Sequence, residues 1–275
     1  MDLSLLTKPL TKAPQITIVG LPGVGKSSLG ALFPSPVFIQ AEDGSSVFDS
    51  WPDEMKPVVF PALPRADAKN KVSTMAVLEE QLFALGKQEH NFKTLVIDSV
   101  TSLHALFEHE VCEEYGADNI GEAAGGYGKG YLVVKEKHAR IKAICDRLRE
   151  KKDMTIIFLA HAGIKKVKGR PDSDEYTVYS LDMHDASIPT YVALVDAVYY
   201  LRQDEFIKGA QTDKKGQTTK FGKVVQTGDR ILVTAGDGRI GYVNAKSRYP
   251  MDSELPIPIG ENPLLELIPY FRNNK

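Results

Sequence analysis

The sequence has little cysteine and no long hydrophobic run, and these absences exclude several classes of protein. Its two cysteines, Cys112 and Cys145, are isolated, so it supports neither a disulfide framework nor a cysteine metal site, and we interpret both as structural thiols. No apolar run reaches membrane-spanning length, and residues 1–6 lack the charged start and long apolar middle of a signal peptide. We therefore expect a cytoplasmic protein with no membrane partner.

An excess of charge of one sign is also missing. The 34 lysines and arginines nearly balance the 36 aspartates and glutamates, which leaves a net charge of −2. Such a chain has no overall attraction to nucleic acid, so any DNA binding must come from a local cluster of cations. Its 275 residues, 43% of them hydrophobic, suit one large α/β domain or one domain with a small appendage.

What the sequence does contain is a phosphate-binding motif near its start. Residues 20–27, Gly-Leu-Pro-Gly-Val-Gly-Lys-Ser, match the Walker A pattern G-x-x-x-x-G-K-[ST] at every position. Glycines permit the positive φ values that turn backbone N–H groups toward phosphates, Lys26 would reach the β- and γ-phosphates, and Ser27 would bind Mg²⁺. We therefore predict ATP and Mg²⁺ as cofactors. The predicted phosphate-binding residues are Gly20, Gly23, Val24, Gly25, Lys26, Ser27 and Ser28.

Residues 94–98, Thr-Leu-Val-Ile-Asp, are typical of a Walker B strand. Their continuous hydrophobicity suits the centre of a parallel sheet that is covered on both faces. The carboxylate of Asp98 would hold a water molecule of the Mg²⁺ shell, although an aspartate there could instead cap the next helix. Because a phosphate loop lies upstream, we favour the metal role.

Two more predicted strands end in polar residues near this site. Residues 37–41 precede Glu42 and Asp43, and a carboxylate that leaves a strand beside a phosphate loop can be the catalytic base. Residues 155–160 form another apolar strand, which ends at His161. We favour a contact between this histidine and the γ-phosphate over a position in a solvated loop.

Hydrophobic periodicity predicts the other main elements. Helices are expected at residues 73–90 and 131–148, and His138 lies in the apolar stripe of the second helix, where we interpret it as a core residue. Farther along the chain, short strands and Gly-containing turns predict β-hairpins, with strands at 230–234 and 240–244. The pattern as a whole indicates an α/β protein.

Two segments have a composition that suits binding of single-stranded DNA. Residues 112–130 are rich in glycine, and residues 163–180 begin with a basic run that leads into the acidic stretch 172–175. Aromatic rings can stack on bases and cations can attract phosphates. We favour a functional role for the Gly-rich segment over a merely flexible surface loop, whereas the basic run could equally be a solvated run of charges. The candidate DNA-binding residues are Tyr115, Tyr127, Lys129, Lys165, Lys166, Lys168 and Arg170.

The order of these motifs, together with Lys246-x-Arg248 near the end, resembles the RecA-like ATPases, which include RecA, RadA and the DnaB-type helicases. The sequence is most similar to compact RecA-like proteins of bacteriophages, some of which are single-strand-annealing recombinases. The resemblance implies a RecA-like three-layer α/β sandwich with a mainly parallel central sheet, C-terminal β-hairpins, and one strand between the Walker A and Walker B strands. We predict a lead-in at residues 1–14, an ATPase domain at 15–249 and a tail at 250–275.

The same resemblance implies roles for individual residues. Glu42 matches the carboxylate that activates water, Asp98 the Walker B acid, and His161 the γ-phosphate sensor. Lys246 and Arg248 match cations that reach the nucleotide of a neighbouring subunit. The two segments with DNA-binding composition lie where RecA has its DNA-binding loops, although the acidic stretch would weaken the second of them.

The function implied by the resemblance is a Mg-ATP-dependent recombination protein that anneals or pairs DNA strands in the cytoplasm of a phage-infected host. Its partners would be single-stranded DNA, further copies of the chain in a ring or filament and, as an open alternative, a single-strand-binding protein. Two other functions stay open: a P-loop small-molecule or nucleotide kinase, and an assembly module that binds ATP without hydrolysing it. A kinase should carry an arginine-rich lid, whereas the arginines here are scattered.

Overall fold

The computed structural model describes residues 11–42, 44–168, 174–208, 211–212, 218–220, 222–236, 240–242 and 244–273. The strands are β1 (Gln15–Gly20), β2 (Pro36–Gln40), β3 (Val58–Val59), β4 (Thr94–Asp98), β5 (Thr155–Lys168), β6 (Glu175–Leu181), β7 (Ala197–Lys208), β8 (Gln211–Thr212), β9 (Thr218–Lys220), β10 (Lys223–Val233), β11 (Lys246–Ser247) and β12 (Glu254–Pro256). The α-helices are α1 (Lys26–Ala31), α2 (Thr74–Lys87), α3 (Val100–Tyr115), α4 (Lys129–Lys152), α5 (Ile188–Val192), α6 (Leu264–Leu267) and α7 (Pro269–Asn273). Short 3₁₀ turns lie at Ser45–Phe48, Asp53–Met55, Ala123–Gly125 and Ile240–Tyr242.

One mixed sheet organises the chain, with the strand order β12-β10-β7-β1-β5-β4-β2-β3. The strands from β7 to β3 run parallel, whereas β10, β12 and β11 pair antiparallel at the β7 side. The predicted α/β fold with a mainly parallel central sheet and C-terminal antiparallel strands is therefore confirmed. The Walker A strand β1 and the Walker B strand β4 are separated by β5, as the resemblance implied.

The sheet is covered on both faces because its central strands alternate between two apolar clusters. Ile16 and Ile18 of β1 pack toward the cluster that includes α1, α6 and α7, whereas Val19 faces the cluster built by α2, α3 and α4. Each residue of β1 and β4 is buried. His138 of α4 is fully buried on the side of the sheet that α2, α3 and α4 cover. Its Nδ1 is 2.7 Å from the hydroxyl of Tyr191.

The described structure differs from the sequence predictions at three places. Residues 163–180 were expected to be a loop, but β5 continues to Lys168 and pairs antiparallel with β6, which carries the β-branched and aromatic residues typical of a strand. The Gly-rich segment is shorter than expected, because α3 runs to Tyr115 and α4 begins at Lys129. The predicted strand at 240–244 is wrong, since Ile240–Tyr242 form a 3₁₀ turn.

None of the described helices is long and apolar enough to cross a membrane. The two cysteines are free thiols, and burial raises the pKa of Cys145 to about 12. Such a thiol is inert at neutral pH, which agrees with a structural role. Residues of the predicted tail join the main sheet through β12 and the core through α6 and α7.

Candidate functional site

The Walker A residues form a tight loop at the carboxyl end of β1, between that strand and α1. Gly20 lies so close to β7 that a Cβ atom there would be 2.6 Å from the carbonyl oxygen of Leu201. Gly25 has φ of +96°, a backbone conformation that favours glycine. The loop therefore needs glycine at one end for close packing and at the other end for its turn into the helix.

The ammonium group of Lys26 lies inside this loop. Its Nζ donates to the carbonyl oxygens of Gly20, at 3.0 Å, and Leu21, at 3.1 Å, and is 3.4 Å from Nδ1 of His161. Burial lowers the pKa of Lys26, and the nearby carboxylates of Asp98 and Glu42 oppose this shift. Lys26 thus places a desolvated cation where the motif predicts the β- and γ-phosphates.

The predicted metal-binding oxygens are brought together by β4 and α1. The Ser27 hydroxyl donates to Oδ2 of Asp98 at 2.6 Å. Burial raises the pKa of Asp98, while the bond from Ser27 opposes that rise. Asp98 does not cap the following helix, because Ser99 is the N-cap of α3 and its hydroxyl accepts the N–H of Ser102. A hydroxyl and a carboxylate beside a phosphate loop fit Mg²⁺, which prefers oxygen ligands.

Glu42 follows β2 and faces the same site. Its Oε1 is 3.1 Å from Nε2 of His161, and its Oε2 accepts the Ser102 hydroxyl at 2.8 Å. His161 is the residue where β5 leaves the centre of the sheet, so the histidine lies between the candidate base and Lys26. Asp43, the alternative base, lies outside the described residues.

Sequence reasoning missed the hydroxyl groups that support Glu42. The Ser99 hydroxyl is 2.9 Å from that of Thr101 and 2.8 Å from that of Ser102, and Thr101 accepts the backbone N–H of His161 at 3.1 Å. These side chains form a hydrogen-bonded chain from Glu42 to the backbone of His161 in β5. The available signal was the run Asp98-Ser-Val-Thr-Ser, in which three hydroxyl residues follow the Walker B acid.

Beside the phosphate loop is a cleft of about 430 Å³, which sequence reasoning also missed. Its lining includes Gly25 of the loop, Ser28 of α1, Trp51 and Arg230 of β10. Its position next to the loop suits the part of a nucleotide that extends beyond the β-phosphate. Trp51 is the single tryptophan of the chain.

The comparison with protein families bears on this geometry. A family model described as an AAA domain matches residues 12–236, which is more than half of the chain. The chain belongs to this AAA-domain family. Family membership and the site together identify a P-loop ATPase domain of the AAA type, for which ATP is the expected nucleotide and Mg²⁺ the typical ion. No curated protein matches the chain.

Lys246 and Arg248 follow the residues that match the AAA domain, and they lie at the opposite end of the strands from the phosphate loop. Strand β11 pairs with the first residues of β7, and Arg248 Nη1 is 2.9 Å from Oδ1 of Asp196. Lys246 donates to the carbonyl oxygen of Ala193 at 3.2 Å. Neither cation can therefore serve the nucleotide of its own chain. Their role at a neighbour's nucleotide stays a prediction.

Pairing of β5 with β6 divides the predicted basic residues between two faces of a hairpin. Lys166 and Lys168 are exposed on the face that also carries Ile164, of which 68% is exposed. Lys165 points the other way, donates to the Met183 carbonyl oxygen at 2.8 Å and forms an ion pair with Asp185. Arg170 lies outside the described residues. Of the three cations that the structure describes, Lys166 and Lys168 are thus accessible on one surface of the AAA domain.

The Gly-rich segment presents Tyr127 entirely to solvent. Its φ is +54°, and Gly126 and Gly128 on either side also have positive φ values. Tyr115, at the end of α3, is 54% exposed, and Lys129 begins α4. The structure therefore places these three candidates around one loop.

This loop is tied to the base of the hairpin. The ring of Tyr131, in the first turn of α4, stacks on His184 with centroids 3.9 Å apart. His184 follows β6 closely in sequence, and its backbone N–H donates to Nε2 of His104 at 3.2 Å. The two segments with DNA-binding composition are thus neighbours within the AAA domain.

Proposed function

We propose that this AAA domain is a Mg-ATP-dependent ATPase of the RecA-like, phage-recombinase type, which binds single-stranded DNA and anneals or pairs strands in the host cytoplasm. The observation that carries the proposal is the course of β5. This strand passes His161 at the phosphate site and continues into the hairpin whose exposed face carries Lys166 and Lys168. One strand therefore joins the nucleotide to the surface that we assign to DNA.

The chemistry of this surface suits a single strand. Lys166 and Lys168 can neutralise phosphates, while Ile164 and the fully exposed Tyr127 offer apolar faces to bases. Stacking of a base on an aromatic ring contributes about 1–3 kcal/mol and does not depend on sequence. The proposed binding is therefore sensitive to salt and nearly independent of sequence.

The proposed active unit is an oligomer, a ring or filament, in which Lys246 and Arg248 meet the nucleotide of the next subunit. Their distance from the phosphate loop of their own chain supports this arrangement, because any contact with a nucleotide has to be made to another copy. A single-strand-binding protein is a further proposed partner.

The deciding measurement is the ATPase rate with and without single-stranded DNA, combined with a matched pair of hairpin variants. The variant Lys166→Gln/Lys168→Gln removes both exposed cations, and Lys165→Gln on the opposite face is its control. Because the salt dependence for single strands is about 0.7 per neutralised phosphate, the double variant should flatten the slope by about 1.4. The control should bind DNA like the parent.

If the parent and the double variant bind DNA equally well, the hairpin is not the DNA-binding surface. If DNA also fails to stimulate hydrolysis, the recombination function is wrong. Both variants should bind Mg-ATP normally, since Lys165 contacts Met183 and Asp185, and Lys166 and Lys168 are exposed on the hairpin.

A second candidate, a small-molecule or nucleotide kinase, is favoured by one observation. A cavity of about 270 Å³ lies against residues 20–24 of the loop and is lined by Tyr179 and Tyr242, so a second substrate has room near the γ-phosphate. Transfer of labelled γ-phosphate to a small molecule, instead of release as inorganic phosphate, distinguishes the kinase. Binding of ATP without release of phosphate under any condition would favour the assembly module.

A further inference from the structure

Strand β10 contains an irregularity that directs one arginine toward the phosphate loop. In its pairing with β7, Gln226 lies opposite Glu205 and Arg230 opposite Gln203, so the register shifts between these two points. Gly228, inside the irregular stretch, has φ of +90°. Extra residues in one strand bend it locally and re-aim its side chains. Here the side chain that turns inward is Arg230.

The guanidinium group of Arg230 lies directly against the phosphate loop. A Cβ atom on Gly25 would be 2.5 Å from its Nη1, so the side chain occupies the space that any other residue at position 25 would need. Nη2 donates to the carbonyl oxygen of Pro258 at 3.1 Å. The remaining nitrogen, Nε, is buried and has no hydrogen-bond partner among the described residues.

Arg230 also has no acidic partner in the described part of the chain, whereas its neighbour Arg202 has one. Arg202, one step along the paired strand, bonds to Glu254 at 2.8 Å, whereas burial lowers the pKa of Arg230 with no carboxylate to oppose it. A guanidinium that is partly desolvated and unpaired is unfavourable unless an anion completes its surroundings. With one nitrogen bonded to Pro258 and no carboxylate in contact, the guanidinium has hydrogen-bonding capacity left for an anion in the adjoining cleft.

The position of Arg230 selects one part of a nucleotide. Lys26 and Ser27 belong to the β- and γ-phosphates by the Walker A pattern, and Arg230 lies beyond them in the cleft bordered by Gly25, Ser28 and Trp51. We propose that Arg230 is a nucleotide-binding residue that contacts the α-phosphate and ribose of a nucleotide held by the phosphate loop. The inference rests on the nucleotide binding assigned to that loop. It predicts a contact that ATP and ADP share.

The test compares Arg230→Gln and Arg230→Lys with the control Arg202→Gln. Affinities for Mg-ATP and Mg-ADP are measured by the fluorescence of Trp51, which lines the cleft, and by the nucleotide-induced rise in melting temperature. Loss of a charged hydrogen-bond donor should weaken both nucleotides by the same factor, about 10- to 100-fold for Arg230→Gln. Arg230→Lys should lose less, and Arg202→Gln should bind like the parent.

Two results would overturn the inference. Normal affinity for both ATP and ADP in Arg230→Gln, with or without a lower melting temperature in the absence of nucleotide, would give Arg230 a packing role only. A loss confined to ATP would move the contact to the γ-phosphate. If the parent chain itself binds no nucleotide, the proposed ATPase function is wrong as well. Failure of the Arg230 contact alone leaves nucleotide binding by the parent intact, so the two failures can be told apart.

Discussion

Replacement of Lys26 by methionine separates what the phosphate loop needs for folding from what it needs for binding. Methionine keeps the length of the side chain and removes its charge. The ammonium is buried and donates to the carbonyl oxygens of Gly20 and Leu21, with Nδ1 of His161 3.4 Å away. We therefore expect Lys26→Met to change the free energy of unfolding by no more than about 1 kcal/mol, and in the stabilising direction at neutral pH.

The pH dependence of this effect follows from the lowered pKa of Lys26. Between that pKa and the ordinary lysine value of 10.5, the unfolded chain holds more protons than the folded chain, so the stability of the parent rises with pH. Lys26→Met lacks this contribution. Its advantage over the parent should be largest at neutral pH and should disappear as the pH approaches 10.5.

In Lys26→Met, the affinity for Mg-ATP should change far more than the free energy of unfolding. A hydrogen bond from a charged donor contributes about 1.5–3 kcal/mol, and Lys26 exchanges two carbonyl partners for oxygens of the β- and γ-phosphates. A net loss of about 3–4 kcal/mol corresponds to a 100- to 1000-fold weaker affinity for Mg-ATP. Urea unfolding at two pH values and a titration with Mg-ATP measure the two effects.

Lys142→Met provides the matched control, because Lys142 is also a buried lysine but bonds to Asp146 on α4, away from the loop. It should bind Mg-ATP like the parent. Wild-type affinity in Lys26→Met, or a loss of stability above about 2 kcal/mol at neutral pH, would refute the reasoning.

Three more variants test the remaining roles. Glu42→Gln should keep Mg-ATP affinity and slow single-turnover hydrolysis by about 10²–10⁴-fold; normal turnover would transfer the role of base to Asp43 or another group. Ser102→Ala, which removes the 2.8 Å bond to Glu42, should slow hydrolysis about 10-fold with unchanged affinity, and Ser102→Thr should restore the rate. Arg248→Ala should cost less than about 1 kcal/mol of stability, because its side chain is 69% exposed, yet slow hydrolysis about 10³-fold or more. Mixing it with Lys26→Ala should restore some activity at hybrid interfaces; no rescue together with an ATP-bound monomer contradicts the shared site.

Much of the central sheet could be predicted because its signals are local. The Walker A residues follow one strand directly, and the apolar run ending in Asp98 marks a buried strand without reference to any other part of the chain. Glu42 and His161 could be proposed because each ends a predicted strand, and parallel strands gather their carboxyl ends at one edge.

The parts that could not be predicted depend on contacts between distant residues. The charges of Lys165 and Lys166 obscured the alternation of a strand, and only pairing with β6 decides which of the two is exposed. Arg230 is far from Gly25 in sequence, and an irregularity in β10 brings them together. No local pattern contains that information, because the bulge exists only once β7 and β10 have paired.

Because β5 is long, a small movement at the nucleotide site can shift residues far from it. Its first part is held between β1 and β4, whereas Ala162 to Lys168 pair with β6 alone, so the strand is clamped at one end and projects from the sheet like a lever with its pivot at His161. At about 3.3 Å per residue, the seven steps from His161 to Lys168 span about 23 Å. A tilt of about 5° at the pivot carries the far end about 2 Å, which is most of the length of a hydrogen bond. A small rotation of β5 beside the phosphates is therefore enough to make or break a contact at Lys168, at the other end of the strand.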